Sequence, residues 1–179
     1  MRSTHPEILA TQELVYKKSN LKFTGAEPEA ESEEYGAHTF GLENFTIKFR
    51  VAKITPKKIG QFVTCWKRTT LGPIQPFDIE DSFDFLVVSV RSGENFGQFV
   101  FPKAVLSQKG IIAKLGKGGK RAMRVYPPWD QTTSQQAQKT QKWQCAYFLE
   151  IPSDEKIDVE HAKHLYLNMA MPLRPPEKN

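Results

Sequence analysis

The chain has 179 residues, 39% of them hydrophobic and 25% charged, with a formal net charge of +5 at pH 7, which is enough apolar material for one domain with a core of two or three layers. No apolar run is long enough to span a membrane and no signal-peptide pattern opens the sequence, so a cytoplasmic protein is expected. Cys65 and Cys145 are far apart and in no metal-ligand spacing, which argues against a disulfide framework or a zinc site.

In chain order, Ile8, Leu9, Gln12, Val15 and Tyr16 recur near a helical period. With Thr4 as cap and Pro6 and Glu7 in the first turn, they predict a helix over 4–18. The acidic stretch 26–34, AEPEAESEE, reads as a loop, and 35–42 as a first strand followed by a turn at 41–44.

Residues 45–68, FTIKFRVAKITPKKIGQFVTCWKR, carry the most informative pattern. Phe45, Ile47, Phe49 and Val51 sit two apart, as do Lys48 and Arg50, which predicts a half-buried strand with one apolar and one cationic face. Thr55 and Pro56 end it, and Lys57, Lys58 and Gly60 form a basic turn. The return strand places Phe62, Thr64 and Trp66 on one side and Val63, Cys65 and Lys67 on the other. The expected element is a hairpin with seven cations and no carboxylate.

After a loop over 69–81, the apolar run 82–90, SFDFLVVSV, predicts a central strand, paired through a turn with a strand over 97–101. Pro102 and Lys103 open a short helix that reaches Gln108 and is stopped by Gly110. KLGKGGK lacks the spacing of a phosphate-binding Walker loop and reads as a flexible cationic loop. RAMRVY is a strand ended by Pro127 and Pro128. Asp130 or Thr132 then caps a helix over 133–149, with Trp143 and Phe148 as core anchors and a polar face of Gln and Lys. A helix over 159–169 and a proline-rich tail close the chain. The expected fold class is α/β (α+β), one domain over 1–179, with a mixed central sheet of five to six strands flanked by helices.

The charge is concentrated. Residues 1–43 hold 4 Lys+Arg against 8 Asp+Glu, residues 44–128 hold 15 against 5, and residues 129–179 hold 6 against 7. A strongly positive middle between acidic ends is the asymmetry of a surface that meets a polyanion. For any single lysine a solvated surface position is the simpler reading, and the case rests on cations interleaved with aromatics and glycines.

The segments FRVAKITPKKIGQFVTCWKR, GQFVFPKAVL, GKRAMRVYPPWD and KTQKWQ resemble the MepB-like family of small bacterial proteins, over roughly residues 4–150. That family is named from a multidrug-efflux operon, not from a reaction, so the resemblance implies no activity directly. The order YGAHTF, IKFRVAKIT, FDFLVVSV, QFVFPKAVL also resembles the core of PD-(D/E)XK nucleases, and implies a restriction-endonuclease-like core. In a common branch of those enzymes an Asp follows an aromatic on one strand, and a Glu or Gln lies two before a Lys on the next. Here the lysine is Lys53, but the Asp position after Tyr35 is Gly36 and the Glu/Gln position is Val51. The Asp-Phe pair persists as Asp84 and Phe85, and the strand ending as Phe101 and Pro102. The two missing carboxylates are those that hold the divalent metal. The resemblance thus implies a vestigial centre, unless Glu33, Glu34, Glu43 or Asp84 supplies relocated ligands.

The leading expectation is a nucleic-acid-binding protein, for DNA or RNA, with little sequence specificity. Lys53, Lys57, Lys58, Lys67, Arg68, Lys103, Lys117, Lys120, Arg121 and Arg124 are the phosphate-contact candidates, and Trp66 and Trp129 the stacking candidates. No cofactor is expected. An active nuclease using magnesium or manganese is one alternative, and an adaptor whose basic face meets an acidic protein is the other. His5, His38, His161 and His164 are scattered and suggest no histidine chemistry. The sequence is compatible with a monomer.

Overall fold

A computed structural model describes residues 3–70 and 72–168. In chain order the strands are β1 (Phe23–Pro28), β2 (His38–Leu42), β3 (Phe45–Val51), β4 (Lys53–Thr55), β5 (Lys58–Thr64), β6 (Trp66–Arg68), β7 (Ile74–Pro76), β8 (Phe85–Ser92), β9 (Asn95–Pro102), β10 (Ala122–Val125) and β11 (Phe148–Glu150). The helices are α1 (Pro6–Thr11), α2 (Lys103–Gln108), α3 (Gln135–Cys145) and α4 (Val159–Lys163). The first continues as a π-helical turn over Gln12–Tyr16 and the last as one over His164–Asn168.

The main sheet has six strands in the order β1-β2-β3-β8-β9-β11, with β3 parallel to β8 and the other pairs antiparallel. A second sheet, β10-β5-β4, lies against one face, and β6 pairs with β7 as a separate ribbon. This is the expected α+β class with a mixed central sheet and helices against it.

β8 explains the arrangement. It lies in the middle of the main sheet, and its continuous apolar run serves both faces. Phe85 and Val87 face Ile47, Phe49, Tyr16 and Tyr166 under α1 and α4. Leu86, Val88 and Val90 face Phe99, Phe101, Leu106, Val63, Met123 and Val125 under α2 and the small sheet. The two π-helical turns carry Tyr16 and Tyr166, whose hydroxyls meet at 2.9 Å, and Gln98 Nε2 donates to Tyr166 at 2.7 Å. A buried polar link thereby ties both ends of the described chain to β9.

Several expected elements change. The single basic hairpin over 45–68 is split at Ala52: β3 stays in the main sheet, and the hairpin is β4 with β5 in the second sheet. The cationic side of β3 therefore faces the second layer instead of solvent. Arg50 is 0% exposed and ion-pairs with Glu29 at 2.8 Å, and Lys48 reaches the same carboxylate at 3.1 Å. The first helix is capped by His5, which accepts from the Glu7 N–H, not by Thr4. The 69–81 loop contains a strand of its own, β7, which pairs with β6, and β6 is the end of the expected return strand. α3 is capped by Ser134 and ends at Cys145, so Phe148 belongs to edge strand β11, beside Phe99 of β9. Met169, the expected end of the last helix, and the tail lie outside the described residues.

Candidate nucleic-acid interface

The second sheet is two-sided because of its alternation. Val63, Met123 and Val125 are buried against the main sheet. The other side presents Lys58 and Phe62 from β5 with Ala122 and Arg124 from β10, in the antiparallel register Phe62↔Arg124 and Thr64↔Ala122. Gly60, between Lys58 and Phe62, has φ +85°, and a Cβ there would stand 2.7 Å from the Tyr126 ring. Only glycine lets Tyr126 close on the hairpin at that point.

α3 supplies the opposite wall and is fixed by its glutamines. Gln144 is buried; its Oε1 accepts from the Tyr126 N–H at 2.8 Å and its Nε2 donates to the Arg124 carbonyl at 2.9 Å. Gln141 Nε2 donates to the carbonyls of Pro127 and Asp130. The polar face of α3 thus bonds in part to backbone. Between α3 and the sheet runs a groove of about 470 Å³. Lys58, Lys109, Lys120 and Arg124 line it, with Phe62, Tyr126 and Trp143, and no carboxylate is among its described lining residues. None of those four cations has an ion pair among the described residues.

The groove face continues to Lys53 through an alternation of cations and rings. The Lys53 ammonium is 4.6 Å from the Tyr35 ring centroid, Tyr35 lies 6.1 Å from Phe62, and the Arg124 guanidinium is 5.9 Å from Phe62. Lys109 stands 5.6 Å from Trp143, which in turn packs on Phe101 at 5.5 Å. Such cation–ring pairs hold long side chains in place without neutralising them.

The other expected contact residues are dispersed. Lys67 pairs with Asp81, and Lys103 donates to the Asp81 carbonyl. Arg68 pairs with Glu31 at 2.9 Å and stands 5.8 Å from the half-buried Trp66. Lys57 is exposed at the tip of the β4–β5 hairpin, and Arg121 is exposed just before β10. Lys117 is exposed in the glycine loop, which is held in place: Asp78 accepts from the N–H groups of Leu115 and Gly116, and Lys114 bridges Lys117. Trp129 lies outside the groove, edge-on to Phe148 at 5.7 Å. Lys109 and Trp143 belong to the groove although the sequence reading assigned Lys109 no role and offered Trp143 only as a core anchor; α2 and α3 bring the cation and the ring together.

The structure does bring Gly36, Val51 and Lys53 to one place. A Cβ on Gly36 would lie 3.0 Å from Val51 Cγ2 and 2.9 Å from the His5 ring, and Gly36 has φ +57°. Lys53 stands over Tyr35, next to Gly36. Glycine and valine offer no ligand atoms, and the His5 ring fills the space a carboxylate would need, so these residues do not fit a divalent metal. Glu33 and Glu34 are exposed at this end of β3. Asp84 accepts from the Thr46 N–H at 2.8 Å and Glu43 from the Lys22 N–H at 2.8 Å, both at the other end of β3, about 20 Å away at the usual strand rise. Among the described residues no group of three or more His, Cys, Asp or Glu is placed to hold a metal ion. Both cysteines are free, and burial pushes the Cys65 thiol up to about 12. No described helix is long and apolar enough to cross a membrane.

The MepB-like family model matches residues 29–150. A crystal structure of MepB is 36% identical in sequence, with a TM-score of 0.71, covering 82% of this chain and 97% of its own. A bacterial homing endonuclease is 13% identical with a TM-score of 0.42, over 77% of this chain and 88% of its own. No curated protein matches the chain.

Proposed function

This chain belongs to the MepB-like family, and from that premise we propose that it binds nucleic acid by the phosphate backbone, in the groove between α3 and the second sheet. The observation that carries this reading is the cluster of Lys58, Lys109, Lys120 and Arg124 around one groove lined by no described carboxylate. Four uncompensated cations at close quarters repel each other, and a polyanion relieves that repulsion while releasing its own counterions. Phe62, Tyr126 and Trp143 add ring surface on which bases stack without regard to sequence. Backbone contacts set register but do not read bases, so little sequence preference is expected. Binding occurs without cleavage, because Gly36 and Val51 contribute no metal ligands.

The test is fluorescence polarisation of labelled single-stranded DNA, duplex DNA and RNA at two salt concentrations, with and without magnesium or manganese, followed by gel analysis of probe length. Salt-sensitive binding with intact probe is the expected result. Metal-dependent shortening of the probe would establish a nuclease instead. No binding to any probe near physiological salt would refute the proposal and turn attention to an acidic protein partner.

A further inference from the structure

The β4–β5 hairpin has a second face that the groove does not use. Ile54 and Ile59 are 61% and 42% exposed, and although the ladder shifts register between Ile54 and Thr55, both side chains line one depression beside the hairpin. Toward the hairpin base that side is closed, because Gln61 is buried and donates to the Arg91 carbonyl at 3.2 Å. Toward the tip it is open, and the two isoleucines border a depression of about 490 Å³ whose aromatic wall is Trp129. Lys58 lines both this depression and the cationic groove, so the two sites are continuous around one side chain. Asp130 is the carboxylate that lines the depression.

Ile54 and Ile59 together give the depression an apolar rim, surface that a partner gains by covering. Their surroundings narrow the choice of cover. Lys57 and Lys58 flank the tip, and neither has an ion pair among the described residues, so a partner must bring negative charge together with an apolar face. A second copy of the chain would set these lysines against their own equivalents. A nucleic-acid duplex is a polyanion, but its base faces are hidden inside the stack. Where pairing stops, one base-pair face is open to water between two phosphate strands, and apolar side chains are known to pack on base faces when they wedge between the base steps of a duplex.

We propose that the hairpin tip is a wedge for the junction between paired and unpaired nucleic acid, with Ile54 and Ile59 covering the last base pair while the unpaired strand passes Lys58 into the groove. This rests on the nucleic-acid reading above and adds the structure that is preferred. Trp129 stacks the first unpaired base on its way around Lys58, and Lys57 meets phosphates of the paired arm.

The experiment compares three labelled DNAs of equal length, a single strand, a blunt duplex and a fork with splayed arms, against the wild-type chain and Ile54→Ser/Ile59→Ser. The wild type is expected to bind the fork about tenfold more tightly than either other probe, the gain from covering about one isoleucine side chain. The double variant is expected to lose that preference while keeping its single-strand affinity within about twofold. 2-Aminopurine placed in the last base pair of the fork should brighten when wild-type protein binds, a readout that does not depend on the variant folding. Equal wild-type affinity for fork and single strand, or an unchanged preference in the double variant, would overturn the wedge and leave the groove standing. Absence of binding to all three probes would overturn both. A concentration-dependent dimer in sedimentation velocity that the double variant abolishes would assign the tip to self-association instead.

Discussion

The guanidinium of Arg50 and the carboxylate of Glu29 meet at 2.8 Å, and Arg50 is wholly enclosed. Arg50 Nη1 donates to the Phe49 carbonyl at 2.9 Å, and the Phe77 ring lies 5.5 Å from the guanidinium. The pair exists because the cationic side of β3 faces the second layer, where Phe77 covers the Arg50 guanidinium. Removing one member of a buried pair leaves an uncompensated charge, which costs about 3–5 kcal/mol. Glu29→Gln is therefore expected to lower stability by an amount of that order in denaturant titrations, and Glu29→Gln/Arg50→Met to recover much of it. A double variant no more stable than Glu29→Gln would contradict this.

The same pair predicts an acid limb. Burial alone would raise the Glu29 pKa, but Arg50, Lys48 and the Thr39 hydroxyl together hold it below the ordinary 4.5. A depressed carboxylate pKa contributes stability above the unfolded value, and that contribution is lost as pH falls through the folded value. Unfolding midpoints measured from neutral pH down to pH 3 should drop below about 4.5, and the drop should be shallower in Glu29→Gln. Parallel curves for the two proteins would show that the pair is not linked to acid stability.

Much of the fold was legible because local pattern and tertiary role agree. SFDFLVVSV reads as a central strand and is one, since a run buried on both faces needs no alternation. β2, β9, α2 and β10 lie close to their expected places for the same reason. β3 and β4 failed as one half of a hairpin because alternation gives the face of a residue but not what covers that face. Ala52 is where the chain leaves one sheet for another, and nothing local marks it. The site was half legible: Lys58, Lys120 and Arg124 meet in the groove, whereas Lys67 and Arg68 are claimed by Asp81 and Glu31, acids distant in sequence.

That division predicts how binding responds to salt. Each phosphate that is no longer neutralised by the protein should flatten the slope of log affinity against log salt by about one. Lys58→Ala, Lys109→Ala and Arg124→Ala are each expected to weaken binding and reduce the slope by roughly that amount. Lys67→Ala, already neutralised by Asp81, should leave the slope unchanged. Equal effects from Lys67 and Lys109 would mean that net charge, not the groove, attracts the ligand.

Restoring the nuclease-type acids should not restore a metal site. Aspartate at Gly36 would have to adopt φ +57° with its Cβ 2.9 Å from the His5 ring and 3.0 Å from Val51. Strain of this kind costs about 1–3 kcal/mol. Gly36→Asp/Val51→Glu is therefore expected to unfold earlier than wild type. Calorimetric titration with manganese should detect no site in it. Manganese binding to a stable double variant would show that the pocket can open to accept the acids.

The glycine loop should owe its shape to one carboxylate. Asp78 accepts from the N–H groups of Gly116 at 2.7 Å, Glu80 at 3.1 Å and Leu115 at 3.3 Å, and these bonds, that from Gly116 foremost, hold its pKa below the usual 3.8. Leu115 and Gly116 both have positive φ, so the loop conformation needs this anchor to persist. Ala113 donates to the Phe77 carbonyl and Lys120 to the Ile111 carbonyl, which places Lys120 at the groove. In Asp78→Ala, hydrogen exchange at Leu115 and Gly116 is expected to accelerate, while β8 and β9 keep their protection. Groove affinity should fall no further than in Lys120→Ala, because only that cation is carried by the loop. Below the folded pKa of Asp78 the wild type should approach the same rapid exchange, once corrected for intrinsic rates. Unchanged protection in the variant would mean that the Ala113 and Lys120 backbone bonds are enough to fix the loop.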